Sequence, residues 1–196
     1  MKTKQNLLIL LGVTLIFTGC AKEEEPPASP AAEEHKAITA ETLAPFECGD
    51  IERLHTFEGI FLASQPSPAD FEQAQKNGVK TVIDLRHSTE VKDFDEEKVV
   101  TDLGLTSHNP AWTGEEELTD EVFDQVLDLL RSEERVILFH CSSANRVGAI
   151  WVAYRALDGG LDVEEAVGEA KTVGMRSPAY EQKARDYVSR KVSAES

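Results

Sequence analysis

The segment from residue 136 to residue 148 constrains the fold of this chain more than any other. An apolar run ends in His140 and Cys141, a short polar loop follows, and a helical pattern begins at Arg146. Backbone N–H groups at such a helix start, together with the helix dipole, favour negative charge in the loop. The segment therefore predicts a strand, an anion-binding loop and a helix in immediate succession.

Two side chains of this loop are suited to chemistry on a bound anion. The field of the loop favours the thiolate form of Cys141, which would make it a nucleophile. The guanidinium of Arg146 can bind two oxygens of a tetrahedral anion at once. Taken singly, Cys141 would be a buried thiol at a strand end and Arg146 a solvated helix residue, but their combination favours a functional loop. The loop residues between them are Ser142, Ser143, Ala144 and Asn145.

Strand and helix patterns alternate along most of the chain. The strand patterns are a hairpin over 54–63 and the segments 80–85, 105–108 and 136–139, and the helical patterns cover 67–77, 93–103, 119–130, 146–157, 163–173 and 177–192. Because the strand residues are nearly all apolar, we predict an α/β fold with a parallel sheet of about four or five strands and helices on both faces. Ligand sites in such folds lie at the carboxyl ends of the strands, where the Cys141 loop falls.

Composition narrows the classes of partner. The chain has 196 residues, 41% of them hydrophobic, which suits one globular domain. Its formal net charge of −16 argues against nucleic acid or anionic lipid as a partner. An acidic protein that binds anions needs a local positive pocket, and the loop that ends at Arg146 is the obvious place for it.

The N-terminus has the pattern of an export signal. Lys2 and Lys4 precede an apolar core over 7–17, which is too short to serve comfortably as a permanent membrane anchor. Small residues then lead to Cys20, as in bacterial lipoprotein signals, in which the cysteine becomes the lipidated first residue. An ordinary signal peptide that is cut nearby is the alternative.

The segment after Cys20 is rich in Pro, Ala and Glu and has no apolar period, so it is predicted to be a disordered tether. The predicted organisation is a signal peptide over 1–19, a lipidated cysteine and tether over 20–45, and a folded domain over 46–196. Ala21 offers no aspartate sorting signal beside the lipid. We therefore expect a lipid-anchored protein of the bacterial cell envelope, on the outer membrane and facing the periplasm.

Three cysteines are present, and their predicted roles differ. Cys20 would carry the lipid and Cys141 belongs to the anion loop, which leaves Cys48. Exported compartments are oxidising in many bacteria, so a disulfide between Cys48 and Cys141 is one interpretation. The sequence does not decide whether the two thiols meet.

Three motifs together resemble one known family. They are Leu-Ala-Ser-Gln-Pro-Ser at 62–67, Gly-Val-Lys-Thr-Val-Ile-Asp-Leu-Arg at 78–86 and His-Cys-Ser-Ser-Ala-Asn-Arg-Val-Gly at 140–148. With these motifs the chain resembles the beta-lactamase-hydrolase-like protein phosphatases, which are relatives of the dual-specificity tyrosine phosphatases. The resemblance implies a protein-tyrosine-phosphatase-like fold, with no cofactor or metal, and a small phosphorylated molecule or phosphoprotein as substrate.

The resemblance also implies roles for individual residues. Cys141 would attack phosphorus and form a cysteinyl-phosphate intermediate, while Arg146 would bind the phosphoryl oxygens. His140 would orient the loop and help to hold the thiolate. Gln65 and Arg86 would face the pocket from neighbouring strand ends, although Arg86 is equally well explained as a surface charge. Asp84, which interrupts an apolar strand, is interpreted as a structural residue that caps a loop.

The chain departs from the family in the loop itself. Four residues separate Cys141 from Arg146, one fewer than is usual in active phosphatases of this class, and a loop of this length is typical of rhodanese-like sulfurtransferases. Ala144 stands where a glycine is common, which predicts strain if the backbone there is left-handed. Val147 replaces a hydroxyl residue that helps the thiolate to leave, so slower turnover is expected.

The expected general acid is an Asp in the loop after the strand at 105–108. The loop after the strand at 105–108 contains no Asp, so its candidates are Glu115, Glu116 and Glu117. A solvated acidic run at a helix start is the alternative. Three functional hypotheses follow: a phosphatase-like hydrolase, which the motifs favour, a rhodanese-like sulfurtransferase, and a non-catalytic anion-sensing module.

Overall fold

The computed structural model describes residues 38–39 and 41–194. The predicted signal peptide, Cys20 and most of the predicted tether lie outside the described residues. Within them, six strands form one sheet in the order β1-β2-β3-β6-β4-β5. The strands are β1 (Ala44–Pro45), β2 (Leu54–Phe57), β3 (Ile60–Ala63), β4 (Thr81–Asp84), β5 (Thr106–His108) and β6 (Ile137–His140).

The sheet is parallel in its centre and antiparallel at one edge. β3, β6, β4 and β5 run parallel, as predicted, while β1, β2 and β3 pair antiparallel. The four parallel strands agree with the predicted sheet of about four or five strands. The antiparallel edge adds β2 and the short β1 to them. β2 and β3 form the predicted hairpin, whose two-residue turn puts Glu58 at φ 45° and Gly59 at φ 76°.

Helices cover both faces, as predicted. They are α1 (Pro68–Lys76), α2 (Glu96–Asp102), α3 (Gly114–Glu117), α4 (Asp120–Ser132), α5 (Asn145–Leu157), α6 (Val163–Val173) and α7 (Pro178–Ala194), with a 3₁₀ turn over Ser88–Glu90. α1 begins where predicted, because the hydroxyl of Ser67 accepts from the N–H of Asp70 and the Asp70 carboxylate accepts from the N–H of Ser67. The sequence did not indicate α3 or the 3₁₀ turn. In the described part of the chain, no helix is both long and apolar enough to cross a membrane.

The two faces of the sheet form separate apolar layers. Side chains alternate along β6, so that Ile137 and Phe139 pack in the larger layer with α4 to α7, while Leu138 packs in the smaller layer. Cys141 belongs to the larger layer and Cys48 to the smaller one, and neither is in a disulfide. The interpretation of a Cys48–Cys141 disulfide is therefore wrong, because the sheet lies between the two thiols.

The folded domain begins before residue 46, the boundary that the sequence suggested. Ile38 is buried, and its carbonyl accepts from the N–H of Gly59 at 2.9 Å and from the hydroxyl of Thr56 at 2.9 Å. Ala44 and Pro45 then pair with β2 as the edge strand β1. The Pro-rich and acidic composition up to residue 45 concealed this short apolar docking segment.

Candidate active site

The loop after β6 opens at the switch point of the sheet. β6 lies between β3 and β4, so its carboxyl end faces a crevice bounded by the strands on either side. The N–H of Gln65 donates to the carbonyl of Ser142 at 3.3 Å, and Ser64 forms an isolated bridge with Ser143. The segment after β3 therefore fixes the start of the loop. Cys141, the first residue of the loop, is only 1% exposed.

Ala144 closes the loop in a left-handed conformation. Its φ of 62° and ψ of 3° lie in the region that glycine favours, as the substitution of alanine for glycine predicted. Its carbonyl accepts from the N–H of Gly148 at 2.9 Å, which starts α5 at Asn145. The turn aims the first N–H groups of α5 back toward the loop, where an anion would bind.

Arg146 is held rigidly beneath this loop. Its Nη1 donates to the carbonyl of Leu85 at 3.1 Å and to that of Trp112 at 2.7 Å. Both carboxylate oxygens of Glu90 bind the same guanidinium, at 2.8 Å from Nη1 and 2.7 Å from Nη2. Arg146 is 6% exposed, which excludes the interpretation as a solvated helix residue.

The electrostatics of Arg146 link it to Cys141. Burial by itself would lower the pKa of Arg146, but the Glu90 hydrogen bonds and the electrostatic interaction with Cys141 outweigh burial and raise it. The carbonyls and carboxylates of the described residues occupy Nη1 and one N–H of Nη2, and none of them accepts from Nε. Arg146 can therefore offer Nε and the remaining Nη2 hydrogen to an anion.

Glu90 is a site residue that sequence reasoning missed. It ends the 3₁₀ turn after β4, where it also accepts from the N–H of His87 at 2.9 Å. The hydrogen bonds from Arg146 lower the pKa of Glu90, which keeps the carboxylate charged. Glu90 and Arg146 are 56 residues apart in the chain, so no local pattern could have joined them.

His140 points away from the loop. Its ring is fully buried, with Nε2 2.9 Å from Oε1 of Glu96 and Nδ1 3.9 Å from Oδ1 of Asp84. Phe71, in the smaller layer, packs against the ring with a centroid distance of 5.9 Å. The predicted role of His140 in orienting the loop stays a prediction. No hydrogen bond of the described residues joins the ring to Cys141, so the predicted role in holding the thiolate lacks a contact.

A buried ion-pair cluster surrounds the His140 ring. Arg86 donates to both carboxylate oxygens of Asp84, at 2.9 Å and 3.0 Å, and also pairs with Glu96. Burial would raise the pKa of Glu96, but the charges of His140 and Arg86 lower it to about 2. Burial raises the pKa of Asp84, whose carboxylate also accepts from the N–H of Arg86 at 2.9 Å and so caps the loop as predicted.

This cluster shows where the predicted pocket residues lie. Arg86 is 3% exposed, so its interpretation as a surface charge is wrong. With Asp84 and Glu96 it lines a cavity of about 410 Å³ whose lining includes neither Cys141 nor Arg146. The side-chain amide of Gln65 donates to the carbonyl of Pro66 at 2.7 Å and lies 3.5 Å from Glu96. Asp84, Glu96 and His140 are close enough to surround a cation, but the Arg86 guanidinium already binds both carboxylates.

Comparison with known proteins decides the fold. No protein-family model matches the chain, and no curated protein matches it in sequence. Solved structures do match it. P. aeruginosa TpbA has a TM-score of 0.60 at 21% identity, covering 76% of this chain and 89% of TpbA. The domain has the fold of the protein tyrosine phosphatases.

Two other phosphatase structures agree. Tk-PTP in its active form has a TM-score of 0.55 at 16% identity, and the match covers 67% of this chain and 92% of Tk-PTP. PTPMT1, solved in complex with PI(5)P, has a TM-score of 0.58 at 13% identity, covering 70% of this chain and 94% of PTPMT1. A Cys-to-Ser variant of TpbA was solved in complex with phosphotyrosine, at 21% identity and a TM-score of 0.57.

The candidate general acids of this phosphatase-fold domain lie in α3. Glu115 and Glu116 are exposed at the surface. Glu117 accepts from the N–H of Thr113 at 2.7 Å and lies 2.7 Å from Nε2 of His87. The His87 hydrogen bond is the main reason that the pKa of Glu117 is lowered. A carboxylate that stays ionised is a poor proton donor, so the structure favours the interpretation of these glutamates as a solvated run.

Proposed function

We propose that the domain is a cysteine-dependent phosphatase that hydrolyses phosphate monoesters. One observation carries this proposal: Cys141 opens the loop at the switch point of a phosphatase fold, above an Arg146 guanidinium that Glu90 orients. The site thus combines a nucleophile with loop amides and a fixed cation for the phosphoryl oxygens.

The first step transfers the phosphoryl group to Cys141. The thiolate attacks phosphorus, an S–P bond forms, and the P–O bond to the leaving group breaks. Arg146 and the loop N–H groups bind the phosphoryl oxygens as negative charge spreads over them. Because Glu117 is held ionised, the departing oxygen takes its proton from solvent. Aryl phosphates, whose leaving groups need little protonation, should therefore react faster than alkyl phosphates.

The second step releases inorganic phosphate. Water attacks the phosphorus of the cysteinyl-phosphate and gives its proton to solvent. The S–P bond then breaks, and the electron pair returns to Cys141 as a thiolate. Val147 supplies no hydroxyl to stabilise this thiolate, so the second step is expected to be slow.

The experiment is a paired assay of the full chain under reducing conditions. An aryl phosphate is expected to be hydrolysed. Cys141→Ser should abolish turnover and still bind phosphate, because the loop amides and Arg146 remain. The matched control, Cys48→Ala, removes a thiol from the other face of the sheet and should keep the rate.

Two outcomes would overturn the proposal. Turnover of thiosulfate with cyanide, but of no phosphate ester, would assign the domain to the sulfurtransferases, whose loop length it shares. Phosphate binding without turnover in either assay would assign it to the anion sensors.

For the substrate, we propose a small phosphorylated molecule or a phosphoprotein. Solved relatives support this class, since one structure of TpbA contains phosphotyrosine and one of PTPMT1 contains PI(5)P. Nucleic acid is disfavoured by the net charge of −16.

We further propose that the protein is a lipoprotein anchored in the cell envelope through Cys20, on the outer membrane and facing the periplasm. The basic start, the apolar core and the small residues before Cys20 support this. Cys20→Ala should leave an unlipidated protein that no longer fractionates with membranes. Unchanged fractionation together with an unchanged protein mass would contradict the proposal.

A further inference from the structure

The connection between α6 and α7, residues 174–177, lies directly against the loop of Cys141. The side-chain oxygen of Asn145 accepts from the N–H of Arg176 at 2.7 Å and from that of Ser177 at 3.1 Å. Gly174, at φ 144°, approaches the loop so closely that a Cβ there would lie 3.0 Å from Cβ of Ala144. The connection is therefore fixed to the loop and cannot move independently of it.

The packing of α5 reinforces this position. A Cβ at Gly148 would lie 2.6 Å from Cβ of Met175 and 2.9 Å from the carbonyl oxygen of Ala170. Met175 is buried between the helices, and it directly precedes Arg176. The backbone of Arg176 is thus held from two sides, which brings its exposed side chain to the rim of the loop.

The guanidinium of Arg176 binds the loop through neutral groups. Nη2 donates to the hydroxyl of Ser143 at 2.8 Å, and Nη1 lies 3.4 Å from the Ser143 carbonyl and 3.5 Å from the Gly174 carbonyl. Within the part of the chain that the structure describes, no carboxylate forms an ion pair with Arg176. Seven of the eight other arginines bind a carboxylate, namely Arg53, Arg86, Arg131, Arg146, Arg155, Arg185 and Arg190. The eighth, Arg135, donates to the hydroxyl of Tyr154 at 3.1 Å.

Arg176 thus contacts the loop of Cys141 without the carboxylate partner that Arg146 has in Glu90, in a protein with a net charge of −16. Its exposed guanidinium offers positive charge to a ligand at the rim of the Cys141 loop. Ser143 is two residues from Cys141, and two residues span at most about 7 Å. The guanidinium of Arg176 is therefore held against the same short loop that Cys141 opens.

We propose that Arg176 forms a second anion subsite, which selects phosphate monoesters that carry a further phosphate or carboxylate group near the reacting phosphate. This inference rests on the proposed phosphatase function and narrows its substrate class. Arg146 would bind the reacting phosphoryl group, and the fork of Arg176 would bind the second anion.

The test compares two aryl phosphates that differ in one charge, 3-carboxyphenyl phosphate and 3-carbamoylphenyl phosphate. The two are alike in size, and only the first carries a second anion. The full chain should show a kcat/KM about tenfold higher for the carboxylate, as one charge-assisted contact would give. Arg176→Gln should bring the ratio of the two values close to one. Lys76→Gln, which removes an exposed charge from α1, should keep the ratio of the unmodified protein.

A binding measurement separates this inference from the proposed function. The phosphonate analogues of both compounds are titrated calorimetrically into the same three proteins. A preference for the carboxylate that Arg176→Gln removes would establish the subsite even if no phosphate ester were hydrolysed. Turnover of both esters without a preference, or an equal loss for both in Arg176→Gln, would overturn the subsite while leaving the phosphatase function in place.

Discussion

Glu90 and Arg146 form the contact on which the chemistry of the site most depends. Two parallel hydrogen bonds hold the guanidinium in one plane, and two backbone carbonyls fix its depth below the loop. This arrangement suits the proposed phosphatase function, because the cation is oriented before phosphoryl transfer would begin and needs no reorganisation during the reaction.

Glu90→Gln should lower kcat/KM for an aryl phosphate by roughly tenfold to a hundredfold, because a hydrogen bond to a charged group is worth about 1.5–3 kcal/mol. The amide has one acceptor oxygen in place of the two carboxylate oxygens, and its NH2 group cannot accept from the guanidinium, so the bidentate pair that fixes the plane of Arg146 is lost. Steady-state kinetics check this, with Glu72→Gln, an exposed change on α1, as the control. Equal kinetics for Glu90→Gln and the control would show that Arg146 needs no such partner.

The buried ion-pair cluster around His140 should make the free energy of unfolding depend on pH. The pKa of Glu96 falls from its usual 4.5 to about 2 on folding, so its contribution is complete above pH 4.5 and is lost as the pH falls toward 2. Asp84, whose pKa is raised, acts in the opposite direction. Comparison of the protein with Glu96→Gln isolates the Glu96 contribution.

Glu96→Gln should therefore lower the free energy of unfolding by about 1–3 kcal/mol near neutral pH, because Arg86 and His140 lose a buried charged partner. The difference should shrink steadily as the pH falls below 4.5. Urea unfolding at several pH values measures it, with the exposed Glu97→Gln as the control. A difference that stays constant down to pH 3 would mean that Glu96 does not titrate with folding in this range.

At the scale of the elements, the close approach of α5 to the α6–α7 connection is set by glycine. Gly148→Ala would place a methyl group 2.6 Å from Cβ of Met175, and overpacking of this kind costs about 1–3 kcal/mol. Gly168→Ala is the matched control, since a Cβ at this position in α6 meets nothing within 4 Å. It should be neutral or should stabilise the protein by about 0.4–1 kcal/mol. Thermal unfolding of the two variants measures both effects, and an equal change in both would rule out close packing as the role of Gly148.

The elements themselves could largely be predicted from sequence. Apolar runs, the Ser67 cap and the glycines after α1 and α5 are local signals, and the observed helices begin and end close to the predicted positions. The order of the strands is not local, because β6 inserts between β3 and β4 after more than 50 intervening residues. That insertion brings Glu90 to Arg146, so the sequence indicated Arg146 as a candidate site residue without indicating its partner.

The same limit applies to Arg176. Its position depends on Asn145, Gly148 and Gly174, which act through contacts between elements that are far apart in the chain. A sequence pattern can identify a loop of suitable chemistry, such as that between Cys141 and Arg146. It does not indicate which side chains the tertiary fold brings to the rim of that loop.

At the scale of the whole molecule, the residues that pack on β2 before residue 46 belong to the folded domain. Ile38 is 2% exposed, and it provides the acceptor for the buried hydroxyl of Thr56. Removal of this segment would expose apolar surface and leave the Thr56 hydroxyl without its acceptor at the edge of β2.

A chain that begins at residue 46 should therefore be less stable than one that begins at residue 37. Burial of an isoleucine side chain is worth about 1.5–3 kcal/mol, so a loss of at least about 2 kcal/mol is expected once the hydrogen bonds of β1 are included. Urea unfolding of the two truncated proteins measures the difference, and Ile38→Ala in the longer one should reproduce most of it. If the two lengths proved equally stable, the residues before 46 would rest on the domain without stabilising it.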